Sequence, residues 1–291
     1  MTSFRTPVAV LAIVVAVGSW VGVGRGQQVT QPAMSYGVTG EAVFPAIEGW
    51  GPDKENKNNI IWVGYYNRNA EQTLDVPIGP NNKIEPGAPD RGQPTHFRTG
   101  RQWGMFAITA PADFGQQRLT WTIVANGQST SIPFYLHPDY EIEPFREAAV
   151  GNTPPVLAFE ERGPSVQGPL AMTVERTTTV ARPLTLTAWV SDDAKFTSSS
   201  GLPPRALDTP VTITWAKYRG PAAVKFDNER PKIEAVTGGK GAFNGKAVTT
   251  VTFREPGDYM LHATVNDLSG VGGGGFQCCW TTGLVKVSVA P

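Results

Sequence analysis

The chain's two cysteines are adjacent, at Cys278 and Cys279, and they have the clearest capacity for covalent chemistry. Neighbouring residues of a strand point to opposite faces, and their Cα atoms lie about 3.8 Å apart, below the usual range for a disulfide. A bridge between them therefore requires a turn, which the glycine run 272–275 can provide. A vicinal disulfide, two buried thiols, and intermolecular pairing or soft-metal binding are all open interpretations.

Aromatic residues flank the cysteines, with Phe276 before them and Trp280 directly after them. One interpretation is a rigid loop tip at which Phe276, Cys278, Cys279 and Trp280 contact a ligand or partner. The alternative is a loop that packs over the open edge of a β-sandwich. These four residues are a candidate binding segment only if the loop tip is exposed.

Three aspartates, Asp192, Asp193 and Asp267, each follow a predicted strand. Carboxylate oxygens are ligands that calcium prefers, so these residues form a candidate calcium site. The alternative is turn chemistry, because aspartate side chains bind nearby backbone N–H groups. The chain has no D-x-D-x-D-G loop, and we expect no cofactor other than possible calcium binding at these aspartates.

Exposed aromatic rings are a second candidate binding feature, since such rings can stack on the apolar faces of sugars. Trp62, Tyr65, Tyr66 and Trp103 lie in or near the first predicted strands. Alternation places Tyr65 on the face opposite to Trp62 and Tyr66, so part of this set must be core. Trp189 falls on the outer face of its strand. The candidate sugar-binding residues are Tyr65, Trp103 and Trp189.

The three histidines, His96, His137 and His262, belong to no catalytic motif in this chain. The H-E-x-x-H and G-x-S-x-G patterns are absent, as is paired-cysteine zinc spacing. His262 is predicted on the outer face of a strand. We therefore predict no catalytic residues and expect a protein that is not an enzyme.

Composition restricts the class of protein. The formal charge is zero, and no run of lysine or arginine occurs, which argues against nucleic acid and anionic lipid as partners. The 32 glycines and 25 prolines among 291 residues lack a repeat and favour many turns between short strands over long helices.

The N-terminus has the organisation of a secretory signal peptide. Arg5 precedes the apolar run 8–17, which small residues and then Gln27 follow. An uncleaved anchor is the alternative, because no A-x-A site is present. We expect residues 1–26 to be removed, no membrane span in the mature chain, and a secreted, periplasmic or cell-surface location.

The remaining chain is predicted to be all-β, as two tandem immunoglobulin-like sandwiches. Short runs with alternating apolar residues include 60–66, 105–108, 119–124 and 131–136, and Asn126-Gly127 predicts a two-residue hairpin turn between the last two. Prolines are spread through 141–170, which predicts an extended linker. The predicted organisation is a leader at 27–40, a first domain at 41–140, the linker at 141–170, and a second domain at 171–291.

The second predicted domain resembles an immunoglobulin-like domain of the polycystic-kidney-disease (PKD) type. The resemblance rests on the segments 184–193 (LTLTAWVSDD), 211–215 (VTITW) and 255–267 (EPGDYMLHATVND). It implies a core position for Trp215 and neighbouring strands for the three aspartates, and it implies little about function. The segment from Trp62 to Arg101 is similar to segments of uncharacterised exported bacterial proteins, which implies a surface or secreted location and no known activity.

These features predict a non-enzymatic, exported interaction or structural module of the bacterial periplasm or cell surface. The expected partner is another envelope or extracellular protein, bound through loops and sheet edges. A carbohydrate-binding module that binds polysaccharide through surface aromatics is the alternative. Nucleic acid is not expected as a partner.

Overall fold

A computed structural model describes residues 37–53, 56–147, 150–195, 209–239, 241–267 and 278–291. Regular structure in these ranges is almost entirely β-strand, and the one helical segment that they contain is the short 3-10 turn Pro138–Tyr140. The all-β prediction is therefore confirmed. The predicted signal peptide, most of the leader and Phe276 lie outside the described residues.

The strands of the described residues alternate between buried and more exposed positions, as expected for sheets with one face on a core. In chain order they are β1 (Val43–Asp53), β2 (Asn58–Asn67), β3 (Leu74–Asp75), β4 (Asn82–Glu85), β5 (His96–Phe97), β6 (Gly100–Ala110), β7 (Leu119–Ala125), β8 (Gln128–Phe134), β9 (Val156–Ala158), β10 (Ser165–Gln167), β11 (Met172–Thr179), β12 (Leu184–Asp192), β13 (Thr212–Arg219), β14 (Val224–Phe226), β15 (Glu234–Ala235), β16 (Phe243–Phe253), β17 (Gly257–Asn266) and β18 (Trp280–Ala290).

The first lobe, β1 to β8, packs a β1-β2-β6 sheet against a β4-β7-β8 sheet, and β3 pairs with β5 beside them. The central position predicted for the apolar run 60–66 is confirmed, since β2 lies between β1 and β6. Asn126 and Gly127 both have positive φ, and Ala125 pairs with Gln128. The predicted two-residue hairpin is therefore confirmed.

The second lobe, β9 to β18, packs a sheet of order β10-β9-β12-β16-β14 against a sheet of order β11-β18-β17-β13. Trp215 is fully buried in the core between them. Two strands, β9 and β10, fall within the range predicted as a linker, so the proline-rich segment contributes to a sheet. Strand β11, which has no strong apolar pattern, pairs in parallel with β18.

The two lobes share a buried surface, and the described residues belong to one compact unit. Tyr218 of β13 is buried in the core of the first lobe, where its hydroxyl donates a hydrogen bond to the Gly92 carbonyl. Met260 and Leu284, on the neighbouring strands, pack against the same core. The first lobe therefore covers part of the outer face of the β11-β18-β17-β13 sheet, while β11 and the C-terminal part of β18 have exposed residues. The division into two domains stays a prediction.

Candidate functional sites

Cys278 and Cys279 form a vicinal disulfide across a cis peptide bond. Of the three interpretations left open for these cysteines, the vicinal disulfide is the one that the structure contains. The pair lies directly before β18, and both side chains are buried. The Cys279 sulfur lies 3.6 Å from the carbonyl oxygen of Asn152, so the bridge packs against the segment that leads into β9.

Trp280, which one of the two interpretations places at an exposed loop tip, is buried and packs between the lobes. Its indole packs against the backbone of Gly104 in β6, and a Cβ at that glycine would lie 2.5 Å from the ring. Gly104 also has a positive φ, so a side chain there is excluded on two counts. The described part of the predicted binding segment therefore lies inside the molecule, where it joins the lobes.

The aspartates predicted as calcium ligands lie at one corner of the second lobe, named here the acidic corner (Asn152, Asp192, Asp193, Asp267). Burial, together with the charges of Asp267 and Asp193, raises the pKa of the Asp192 carboxyl to about 7. Asp267 accepts a hydrogen bond of 2.6 Å from the side-chain amide of Asn152. Sequence analysis missed Asn152, because nothing local connects it to a residue 115 positions away.

Asp193 has a different environment from the other two aspartates. One of its carboxylate oxygens accepts hydrogen bonds from the backbone and hydroxyl of Thr153, and the other accepts from the backbone of Lys195. These are the contacts of turn chemistry. In the part of the chain that the structure describes, no three acidic, histidine or cysteine side chains group closely enough to hold a metal ion by themselves.

The aromatic residues of the first lobe divide between core and surface. Tyr65 is fully buried, where its hydroxyl accepts a hydrogen bond from the Arg98 backbone, so it offers no surface for a sugar. Trp62 is buried beneath Phe145 and donates to the Pro169 carbonyl. Trp103 is 37% exposed.

Three further residues extend the exposed surface at Trp103. Phe44, Tyr66 and Arg101 are direct cross-strand neighbours on β1, β2 and β6, so their side chains share one face of the sheet. The Arg101 guanidinium lies 4.0 Å from the Trp103 ring centroid. We name this set the aromatic patch (Phe44, Tyr66, Arg101, Trp103). These residues become neighbours through the register of the three strands, which cannot be read from the sequence.

The buried Glu48 carboxylate holds Arg101 in place. It accepts two hydrogen bonds from the guanidinium, at 2.8 and 2.7 Å, and a third from the Gly104 backbone. The pKa of Glu48 is raised above its usual value, because the effect of burial exceeds the lowering by the Arg101 charge and by these hydrogen bonds. Gly64 makes room for the pair, since a Cβ there would lie 2.2 Å from the carboxylate. These contacts fix the position of the Arg101 guanidinium.

Trp189 lies in an open cleft of about 1110 Å³ on the outer face of the β9-β12-β16 sheet. Ser191 and Asn244 contribute polar groups, and the segment 235–239 forms one wall. The Lys246 ammonium, on the paired strand, lies 4.9 Å from the Trp189 ring centroid. Trp189 is half-buried, and its outward direction agrees with the alternation of β12.

Each histidine has a structural contact. His262 is buried between the lobes, where its ring stacks on Tyr218 with centroids 5.5 Å apart. Burial and the nearby Arg98 cation lower the pKa of His262 to about 4. His96 contacts the Asp75 carboxylate, and His137 caps the 3-10 turn by accepting from the Asp139 backbone. The prediction that His262 lies outside is thus wrong, because the first lobe covers that face of β17.

Comparison with known proteins does not identify a family. No protein-family model matches the chain, and no curated protein matches it. Domains 4 and 5 of the S-layer protein SbsC align over 86% of this chain and 98% of theirs, with 12% identity and a TM-score of 0.23.

Two further solved structures align at similar levels. An endo-fucoidan hydrolase of glycoside hydrolase family 107 aligns over 85% of this chain but 26% of its own, with 11% identity and a TM-score of 0.22. A protein of unknown function from Porphyromonas gingivalis W83 aligns over 85% of this chain and 100% of its own, with 7% identity and a TM-score of 0.22. At such scores these likenesses carry no argument about function. None of the helices in the described ranges has the length and apolar character to cross a membrane.

Proposed function

We propose that this chain is a non-enzymatic interaction or structural module, exported to the bacterial periplasm or cell surface, where it binds another envelope protein. The observation that carries the proposal is the aromatic patch. Phe44 and Trp103 are 38% and 37% accessible on a sheet face, and Tyr66 beside them is partly buried. Exposed aromatic side chains gathered on one face are typical of protein interaction surfaces.

The composition and rigidity of the patch favour a protein partner. Tryptophan, tyrosine and arginine are the residues that contribute most to binding at protein interfaces. Arg101 lies between Glu48 and Trp103, so little side-chain freedom remains to be lost when a partner binds. Arg68 lies 5.9 Å from the Phe44 ring centroid and places a second cation beside the patch.

Three observations support the non-enzymatic and exported parts of the proposal. The histidines serve packing, an ion pair and a turn cap, as described above. The vicinal disulfide fits an oxidising compartment, where disulfides persist. The organisation of residues 1–26 as a secretory signal supports the same location.

The test is a cross-linked pull-down from the envelope fraction of the native host, with wild type and Trp103→Ala compared. We expect one envelope protein to be recovered with wild type and its yield to fall at least about tenfold with the variant, as for loss of an interface hot spot. Val248→Ala, at an exposed position of the second lobe, is the matched control and should keep the partner. Equal recovery by all three proteins would contradict the proposal, as would a purified partner that binds the variant unchanged.

A second candidate function is polysaccharide binding in the Trp189 cleft. The cleft combines an aromatic ring with polar side chains, which are the elements that a sugar site requires. Gel retardation in polysaccharide-containing gels should be lost with Trp189→Ala and kept with Trp103→Ala. Retardation that survives Trp189→Ala would remove this candidate.

A further inference from the structure

A pocket of about 380 Å³ lies between the two lobes, on the side of β13 that faces β3 and β5. The first lobe contributes His96 and Arg98 to its lining. The second lobe contributes Lys217 of β13 and the apolar side chains of Val224 and Phe226 on β14. Ligand pockets of proteins commonly have such a volume and lie at such boundaries.

A bulge in β13 directs Lys217 into this pocket. The pairing of β13 with β17 shifts between Lys217 and Arg219, and an irregularity of this kind redirects side chains. Tyr218 enters the core of the first lobe, whereas Lys217, its neighbour in the chain, lines the pocket. The Lys217 side chain is 3% exposed, so the pocket holds a buried ammonium.

The Lys217 ammonium keeps hydrogen-bond donors for a ligand. It has three N–H groups, and its one hydrogen bond to the described residues goes to Oδ1 of Asp75, at 2.8 Å. His96 contacts the same oxygen through Nδ1 at 3.0 Å, since Asp75 and His96 are paired on β3 and β5. Buried charged groups are normally well hydrogen-bonded, so this ammonium indicates a further acceptor in the pocket.

The unequal burial of the charged side chains indicates which sign of charge the pocket accepts. The basic side chains of Lys217, His96 and Arg98 are 3%, 16% and 26% exposed. The carboxylates that contact them, Asp75 and Glu229, are 55% and 57% exposed. Solvent screens an exposed charge far more than a buried one. The interior of the pocket therefore favours an anion.

We propose that this pocket binds a small carboxylate with an apolar body. The carboxylate accepts hydrogen bonds from Lys217, and the apolar body packs against Val224 and Phe226. Hydrogen bonds between an ammonium and a carboxylate are the strong, charge-assisted kind, and the apolar wall on β14 favours an organic anion over an inorganic one. This inference goes beyond the proposed function and does not depend on the aromatic patch.

The experiment is saturation-transfer NMR and isothermal titration of the full chain with benzoate and hexanoate, each compared with its neutral amide. We expect one carboxylate bound per chain with a Kd on the order of 1 mM, as for a ligand of few atoms. The amides should bind at least about tenfold more weakly, because they lack the charge.

Variants of the pocket locate the binding. Lys217→Met keeps an unbranched side chain without the charge, and it should weaken carboxylate binding at least about tenfold. Lys225→Met is the matched control, since Lys225 is an exposed residue of β14 outside the pocket lining, and it should bind as wild type does. Ala223→Phe fills the pocket without removing a charge and should also weaken binding, so it decides the matter if Lys217→Met does not fold.

The inference is overturned if neither carboxylate binds to wild type, or if the neutral amides bind as tightly as the carboxylates. It is equally overturned if either folded pocket variant, Lys217→Met or Ala223→Phe, binds like wild type, since the carboxylate would then lie elsewhere.

Discussion

The outer faces of the two sheets of the second lobe differ in their exposure to solvent. On the β12 sheet, Trp189 points away from the core and lies in an open cleft. On the β17 sheet, His262 points away from the same core and is buried against Tyr218 and the first lobe. Both strands have the same period-two pattern in the sequence. Alternation therefore reveals which residues leave a core, but not what they meet beyond it.

The covered face also differs in the contacts that hold it. Lys217 is buried and donates to Asp75 of the first lobe at 2.8 Å, and Arg219 makes two hydrogen bonds to Asp90. On the open face the Trp189 ring lies beside Lys246, and no lobe built from the described residues covers it. If this comparison is right, the same kind of substitution should have very different effects on the two faces.

The largest effect is expected from Tyr218→Ala, which removes a fully buried ring from the surface between the lobes. We expect a loss of about 3–5 kcal/mol in the free energy of unfolding, as for other buried aromatic-to-alanine changes. Urea unfolding measures it. Tyr218→Phe keeps the ring and loses the hydrogen bond to Gly92, so it should cost about 1 kcal/mol. A loss below about 1 kcal/mol for Tyr218→Ala would show that the lobes do not depend on this contact.

The next effect is a pH dependence that His262 confers. Its pKa is lowered to about 4 in the folded chain by burial and by Arg98, against an ordinary value of 6.5. Protonation therefore favours the unfolded chain, so stability is full above pH 6.5 and falls as the pH drops towards 4. Between pH 7 and pH 5 the contribution of His262 to the free energy of unfolding should fall by about 2 kcal/mol, while Asp192, with its raised pKa, contributes a change of opposite sign. Urea unfolding at the two pH values measures the His262 contribution as the difference between wild type and His262→Gln, and a difference that is the same at both pH values would contradict it.

The smallest effect is expected from Trp189→Ala on the open face. The ring is half-buried, so the free energy of unfolding should fall by less than about 1 kcal/mol. The same urea titration that reports on Tyr218 measures it. A loss comparable to that of Tyr218→Ala would mean that the cleft is part of the folded core and not a surface available to ligands.

Some residues of the candidate sites could be identified from the sequence, and others could not. It singled out Trp103, Trp189 and the adjacent cysteines from residue type alone, and the structure places the first two at accessible surfaces. It did not distinguish Asp192 from Asp193, because adjacent aspartates look alike until their hydrogen bonds are known. Nor did it include Phe44 and Arg101, which join Trp103 only through strand register.

Local sequence determined the local structure of this protein. Period-two alternation produced the strands, and Asn126-Gly127 produced a hairpin turn, because each depends on residues that are neighbours in the chain. Tertiary structure decided the rest: the parallel pairing of β11 with β18, the burial of His262 and Trp280, and the meeting of Asn152 with Asp267. Those contacts join segments far apart in sequence, so no local pattern specifies them, and only the packing of one lobe or segment against another brings them together.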